Sequence, residues 1–170
     1  MGSEKRHFWK NAYGVILSEE IEKLNELSDF FRKMNAKIIL LRFLKKAKSE
    51  YDKFNFEECR KSLIKAYFAD KKNPVVYRGL GCINQFRGKF NSAVRYFNTG
   101  LKYSDKKEIE YTLLGMVYYL QGKLDDAIIY FNLAIDVNDD YSPAYEGRNQ
   151  SLLENHLKVI DLQESLKKQF

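Results

Sequence analysis

The 170-residue sequence contains two cysteines, two prolines, two histidines and a single tryptophan, and each scarcity excludes something. Cys59 and Cys82 are too few for a disulfide framework and lack metal-ligand spacing, so both are expected as packed thiols in a reducing compartment. Pro74 and Pro143 are the only prolines and the nine glycines are scattered, which leaves long stretches free to be helical. The best apolar stretch, Ile38-Ile39-Leu40-Leu41, ends at Arg42, and no run approaches the roughly 18 residues that a membrane span needs. His7 and His156 stand at opposite ends of the chain and suggest neither a general base nor a metal pair. No glycine-rich phosphate loop is present, because Gly79-Leu80-Gly81 opens a helix. Glu57-Glu58, Asp125-Asp126 and Asp139-Asp140 sit where helix starts and turns are expected, where paired acids act as caps. No catalytic residue, metal, cofactor or small-molecule substrate is therefore expected.

The sequence is rich in phenylalanine and tyrosine, twelve of each, within a composition that is 45% apolar and 31% charged. That balance is globular. The net charge of +6 is unevenly spread: residues 40–107 hold 17 Lys/Arg against 6 Asp/Glu, and residues 108–141 hold 1 against 7. A uniformly basic chain would point to nucleic acid. A polarised one points to an oriented protein partner or to self-association.

The organisation emerges from an internal period of 34 residues. Tyr77, Leu80-Gly81, Gly88, Ala93, Phe97 and Leu101 are repeated as Tyr111, Leu114-Gly115, Gly122, Ala127, Phe131 and Ile135. These positions resemble the tetratricopeptide repeat family, whose pattern asks for an aromatic, Leu-Gly, a turn Gly, a small Ala, a second aromatic and a small-large pair. The resemblance implies an all-α, right-handed superhelical solenoid of stacked helix pairs. Glycines and alanines let the two helices of a unit cross closely, turn glycines take the left-handed conformation, and aromatics fill the wedge between units.

One period earlier, Phe43, Ala47, Cys59, Leu63 and Ala66 match the same positions, while Lys46 replaces the Leu and Phe54 the turn Gly. Residues 40–73 are thus a degenerate unit ahead of 74–107 and 108–141. Ser142-Pro143 opens a last helix whose residues depart from the pattern, which makes 142–170 a long capping helix. At the front, Ser18-Glu19-Glu20 starts a leading helix over 18–39, expected to pack on the first repeat through Ile21, Leu24, Leu27, Phe30 and Phe31. Residues 1–17 are expected as a tail, with His7-Phe8-Trp9 and Tyr13 available for docking. No leader sequence is visible, and the expected compartment is the cytoplasm. Met1-Gly2-Ser3 looks like a cloning remnant, so a leader removed beforehand would make the periplasm or the exterior the alternative.

By the resemblance, the first helix of each unit lines a concave groove that binds a partner protein or peptide. The groove residues expected are Lys48 and Tyr51 in the first unit, Arg78, Cys82 and Gln85 in the second, Thr112, Met116 and Tyr119 in the third, and Gln150 from the cap. Lys48 and Arg78 would recognise an acidic segment, with Tyr51, Met116 and Tyr119 as contact area. In one branch of the family a clamp of Lys, Asn, Asn, Lys and Arg grips chaperone tails. The matching positions here are Leu44, Lys48, Gly79, Ile109 and Leu113, so that function is excluded. The leading expectation is a protein-interaction scaffold or adaptor and not an enzyme. The alternatives are a small secretion chaperone and, from another class, an RNA-binding helical repeat, which the acidic segment 108–141 argues against. Pairing of the basic and acidic regions between copies would give a homo-oligomer.

Overall fold

The computed structural model describes the backbone of residues 3–167 and the side chains of residues 26–167. Seven helices, and no strand among the described residues, make up the chain: α1 (Ser3–Asp52), α2 (Phe56–Ala69), α3 (Pro74–Phe86), α4 (Phe90–Leu101), α5 (Lys107–Leu120), α6 (Leu124–Val137) and α7 (Ser142–Lys167). They pack as successive pairs, α1 with α2, α3 with α4 and α5 with α6, and α7 lies on α6 and α5. The all-α solenoid expected from the period is the observed fold.

Local chemistry sets the helix ends. Asn73 accepts a hydrogen bond from the Val75 amide at 3.0 Å, and Pro74 occupies the first turn, where its missing N–H costs nothing. Asn55 caps α2 in the same manner. The pairs α3–α4 and α5–α6 turn at Gly88 and Gly122, with φ of +69° and +73°. The first pair makes the same turn with Phe54 at φ +57°, a conformation that costs a residue with a Cβ about 1–2 kcal/mol.

Where the helices of a pair cross, one side offers a gap and the other a ring. A Cβ on Gly115 would lie 2.9 Å from the Phe131 ring, and one on Gly81 would overlap Phe97. Ala93 and Ala127 are fully buried beside them, and Cys59 takes the equivalent place in the first pair with 2% exposure. The thiol there is a packing group. Gly147 of α7 approaches the same edge of the Phe131 ring, so a single ring joins α5, α6 and α7.

Two expectations change. The leading helix is not a separate element, because α1 runs from Ser3 to Asp52 without a break. No Gly or Pro occurs between residues 15 and 52, so nothing allows the chain to fold back on the first repeat. Leu27, Phe30 and Phe31 are consequently half or more exposed instead of packed. The last helix covers the stack with its N-terminal part. Ala144 and Ser151 of α7 are buried, whereas Leu152, Leu153, Leu157, Val159 and Leu162 face solvent. The docking expected of His7-Phe8-Trp9 and Tyr13, the capping by Ser18 and the contacts of Ile21 and Leu24 concern side chains outside the described residues, as does the end of the cap at 168–170.

Candidate functional site

The face built by α1, α3 and α5 carries two adjoining hollows. The first, of ≈ 230 Å³, lies between α1, α2 and α3, with Cys59 and Leu63 on its floor and Leu44, Val75 and Gly79 on its walls. Lys48, Tyr51, Arg78 and Cys82 complete it. The second, of ≈ 470 Å³, lies between α3 and α5 and is bounded by Tyr51, Cys82, Gln85, Phe86, Phe90, Leu113, Met116 and Leu120. Tyr51 and Cys82 belong to both and form the ridge between them. The linings are mainly apolar and open to solvent: Val75, Phe86, Met116 and Leu120 are each more than two-fifths exposed. An aromatic group edges the second hollow, where Phe56 and Phe86 lie 4.4 Å apart and Phe54 and Tyr51 meet Phe56 edge-on at 6.1 and 5.6 Å.

The site's polar groups are mostly engaged within the chain. Arg78 donates from Nη2 at 2.6 Å and from Nε at 3.1 Å to the same oxygen, Oε1, of Glu110 on α5. The Glu110 carboxylate is fully buried and its Oε2 has no partner. Lys48 pairs with Asp52 at 2.7 Å, an exposed contact one helical turn away. Gln85 lines the second hollow, and its Oε1 is buried without a hydrogen-bond partner. Burial pushes the Cys82 thiol up to about 11, against the opposing pull of Arg78, and it likewise raises Cys59 and Tyr51. Neither sulfur is thus a thiolate nucleophile at neutral pH. No group of three or more metal-ligating side chains occurs among the described residues, and no described helix is long and apolar enough to cross a membrane.

Comparison with known proteins bears on this arrangement. Residues 111–141, the third unit from its leading aromatic onward, match the tetratricopeptide repeat profile. That stretch carries a tetratricopeptide repeat. Among solved structures, the first tetratricopeptide domain of Spaghetti (RPAP3) bound to the HSP90 peptide SRMEEVD is 16% identical, with a TM-score of 0.61 over 69% of this chain and 93% of that one. The second such domain of human RPAP3, in complex with the HSP70 peptide SGPTIEEVD, is 11% identical, with a TM-score of 0.61 over 68% and 97%. The Yersinia enterocolitica type III secretion chaperone SycD, in complex with a peptide of the translocator YopD, is 16% identical, with a TM-score of 0.60 over 68% and 94%. At these identities the likeness is one of fold. Comparison with curated proteins gives no significant match.

Of the tetratricopeptide groove residues expected from sequence, Lys48, Tyr51, Arg78 and Cys82 meet in the first hollow, and Gln85 and Met116 join Tyr51 and Cys82 in the second. Three do not gather there. Thr112 is buried, with only 4% exposure, and Tyr119 and Gln150 line neither hollow. Arg78 does line the first hollow, but its guanidinium joins two repeats instead of standing free to recognise an acidic partner. Sequence reasoning missed Gly79, Phe90 and Leu113 as lining residues. Gly79 was the readable one: a Cβ there would lie 2.8 Å from Leu63, so its absence shapes the wall between α2 and α3.

Proposed function

We propose that the protein is a non-catalytic interaction scaffold that binds a segment of a partner polypeptide along the α1–α3–α5 face, with large apolar side chains seated in the two hollows. The observation that carries this reading is the exposure of the large apolar residues that line the two hollows, Val75 in the first and Phe86, Met116 and Leu120 in the second. The peptide complexes of the structural relatives support the same use of the fold. The chaperone-tail clamp is replaced here by Leu44, Gly79, Ile109 and Leu113, so recognition is chiefly apolar. Lys48 is the cation with access to an acidic residue of the partner, since its contact with Asp52 is exposed and easily exchanged. A narrower reading, a chaperone for a secreted subunit, is supported by the likeness to SycD in its complex with a translocator peptide.

The test is affinity capture from the source cell with wild type beside Tyr51→Ala/Met116→Ala. These positions are part-exposed, so the variant is expected to keep its helicity and melting temperature. Loss of one partner with the variant supports the groove, and equal capture by both baits overturns it. Substitution of Arg78 does not serve here, because it strands the buried Glu110 carboxylate.

A further inference from the structure

Among the described side chains, the first residue of α1 to be buried is Leu40. Ahead of it, Leu27, Phe31, Met34, Ile38 and Leu41 follow one another in steps of four, three, four and three. They are exposed by 53%, 53%, 40%, 57% and 49%. That alternation is the heptad rule of a coiled coil, with Phe31 and Ile38 at a and Leu27, Met34 and Leu41 at d. Leu24 extends the period in the sequence. Leu40 and Ala47, which pack in the first core cluster with α2, both fall at c, on the far side of the helix from this seam. The repeat stack therefore leaves the seam largely uncovered, with Phe31 bordering α2 beside Lys65 and Phe68, and none of the five residues lines either groove hollow.

A seam with a 3.5-residue period is filled by knobs from another helix with the same period. The charges along α1 select that helix and its direction. Residues 19–29 carry Glu19, Glu20, Glu22, Glu26 and Asp29 against Lys23, whereas residues 32–48 carry seven Lys/Arg and no acid. A parallel pair of these helices would set like charge on like. An antiparallel pair, centred between Arg32 and Lys33, sets the acidic stretch of each against the basic stretch of the other. The same register places Phe31 of one copy opposite Met34 of the other, Leu27 opposite Ile38, and Leu24 opposite Leu41. Glu20 then falls opposite Lys45 in the next layer. Hydrophobic register and charge agree on a single arrangement.

We propose that the exposed seam of α1 is covered by the same seam of a second copy, giving an antiparallel coiled-coil homodimer. Sedimentation equilibrium or light scattering on the full chain tests it. The wild type is expected to be dimeric at micromolar concentration, and Phe31→Glu/Ile38→Glu monomeric with unchanged helix content and melting of the repeats. Lys37→Glu/Lys45→Glu probes direction: antiparallel pairing loses roughly tenfold or more in affinity, whereas a parallel pair would tighten. Tyr51→Ala/Met116→Ala is expected to leave the dimer intact, so the groove and the seam fail or stand separately. A monomeric wild type, a dimer that survives Phe31→Glu/Ile38→Glu, or a dimer tightened by Lys37→Glu/Lys45→Glu each overturns the proposal. The second of these would place self-association on the apolar stripe of α7 or on another surface.

Discussion

The first helix pair and the two that follow meet the same geometric demands with different residues. In the regular pairs the crossing is Gly81 against Phe97 and Gly115 against Phe131; one period earlier it is Ala47 against Leu63. A methyl gained on one helix is matched by a smaller side chain on the other, so the volume between the helices is kept. Between units, α3 and α5 are joined by Arg78 and the buried Glu110. The residues one period earlier are Leu44 and Val76, an apolar pair, with Val76 fully buried in the core of the first pairs. At the turn, Phe54 adopts the left-handed conformation that Gly88 and Gly122 take without strain. The fold thus holds volume and backbone path constant while the chemistry at each position changes, which is why the first unit is hard to recognise by residue identity.

Exchanging the solutions between units tests this comparison. Arg78→Leu alone leaves the Glu110 carboxylate buried and unpaired, and is expected to cost about 3–5 kcal/mol in urea unfolding. Arg78→Leu/Glu110→Val copies the earlier interface and is expected to recover most of that loss. A double variant no better than the single would show that the two interfaces are not interchangeable. Gly81→Ala drives a methyl into the Phe97 ring and is expected to cost about 1–3 kcal/mol, part of which returns in Gly81→Ala/Phe97→Leu. Additive losses in that cycle would mean that the crossing is not volume-coupled.

The turn offers a smaller effect of opposite sign in the two regions. Nothing lies within 4 Å of a Cβ placed on Gly122, so Gly122→Ala costs only backbone strain, about 1 kcal/mol in thermal or urea unfolding. Phe54→Gly relieves the same strain and is expected to raise stability by less than that, since the exposed ring also gives up its contacts with Phe56 and Phe86. A loss of stability in Phe54→Gly would assign those contacts more weight than the strain. The smallest effect concerns Cys82, whose neutral form burial favours. Its contribution to stability is complete below pH 9, the ordinary thiol value, and falls as pH rises through about 11. Alkylation by iodoacetamide is expected to be slow at pH 8 and to accelerate only toward pH 11. Rapid labelling at pH 8 would mean that the first hollow opens.

The repeat was legible because a solenoid stacks units that contact only their neighbours, so its constraints recur at one spacing along the chain. The resemblance carried by that spacing placed Lys48, Tyr51, Arg78 and Cys82 on one face, and they line one hollow. The occupation of those side chains was not legible. Arg78 looked like a recognition cation, and its partner lies 32 residues onward on a different helix. A separation so close to one period was the available clue. Thr112 shares the register of the groove but is buried, because position in a repeat sets direction and not depth.

Helix content, the period of the stack, the close crossings and the face that carries the hollows follow from local sequence, since propensity, glycine placement and periodic apolar residues act over a few turns. Three features needed the tertiary structure. Glu110 became the partner of Arg78, α1 joined the leading segment to the first repeat and exposed a heptad seam, and Gly147 admitted Phe131 to hold α7 on the last pair. Each depends on how far a helix continues or how closely another approaches. Those distances are set by side chains from several helices at once, and no window of sequence contains them all.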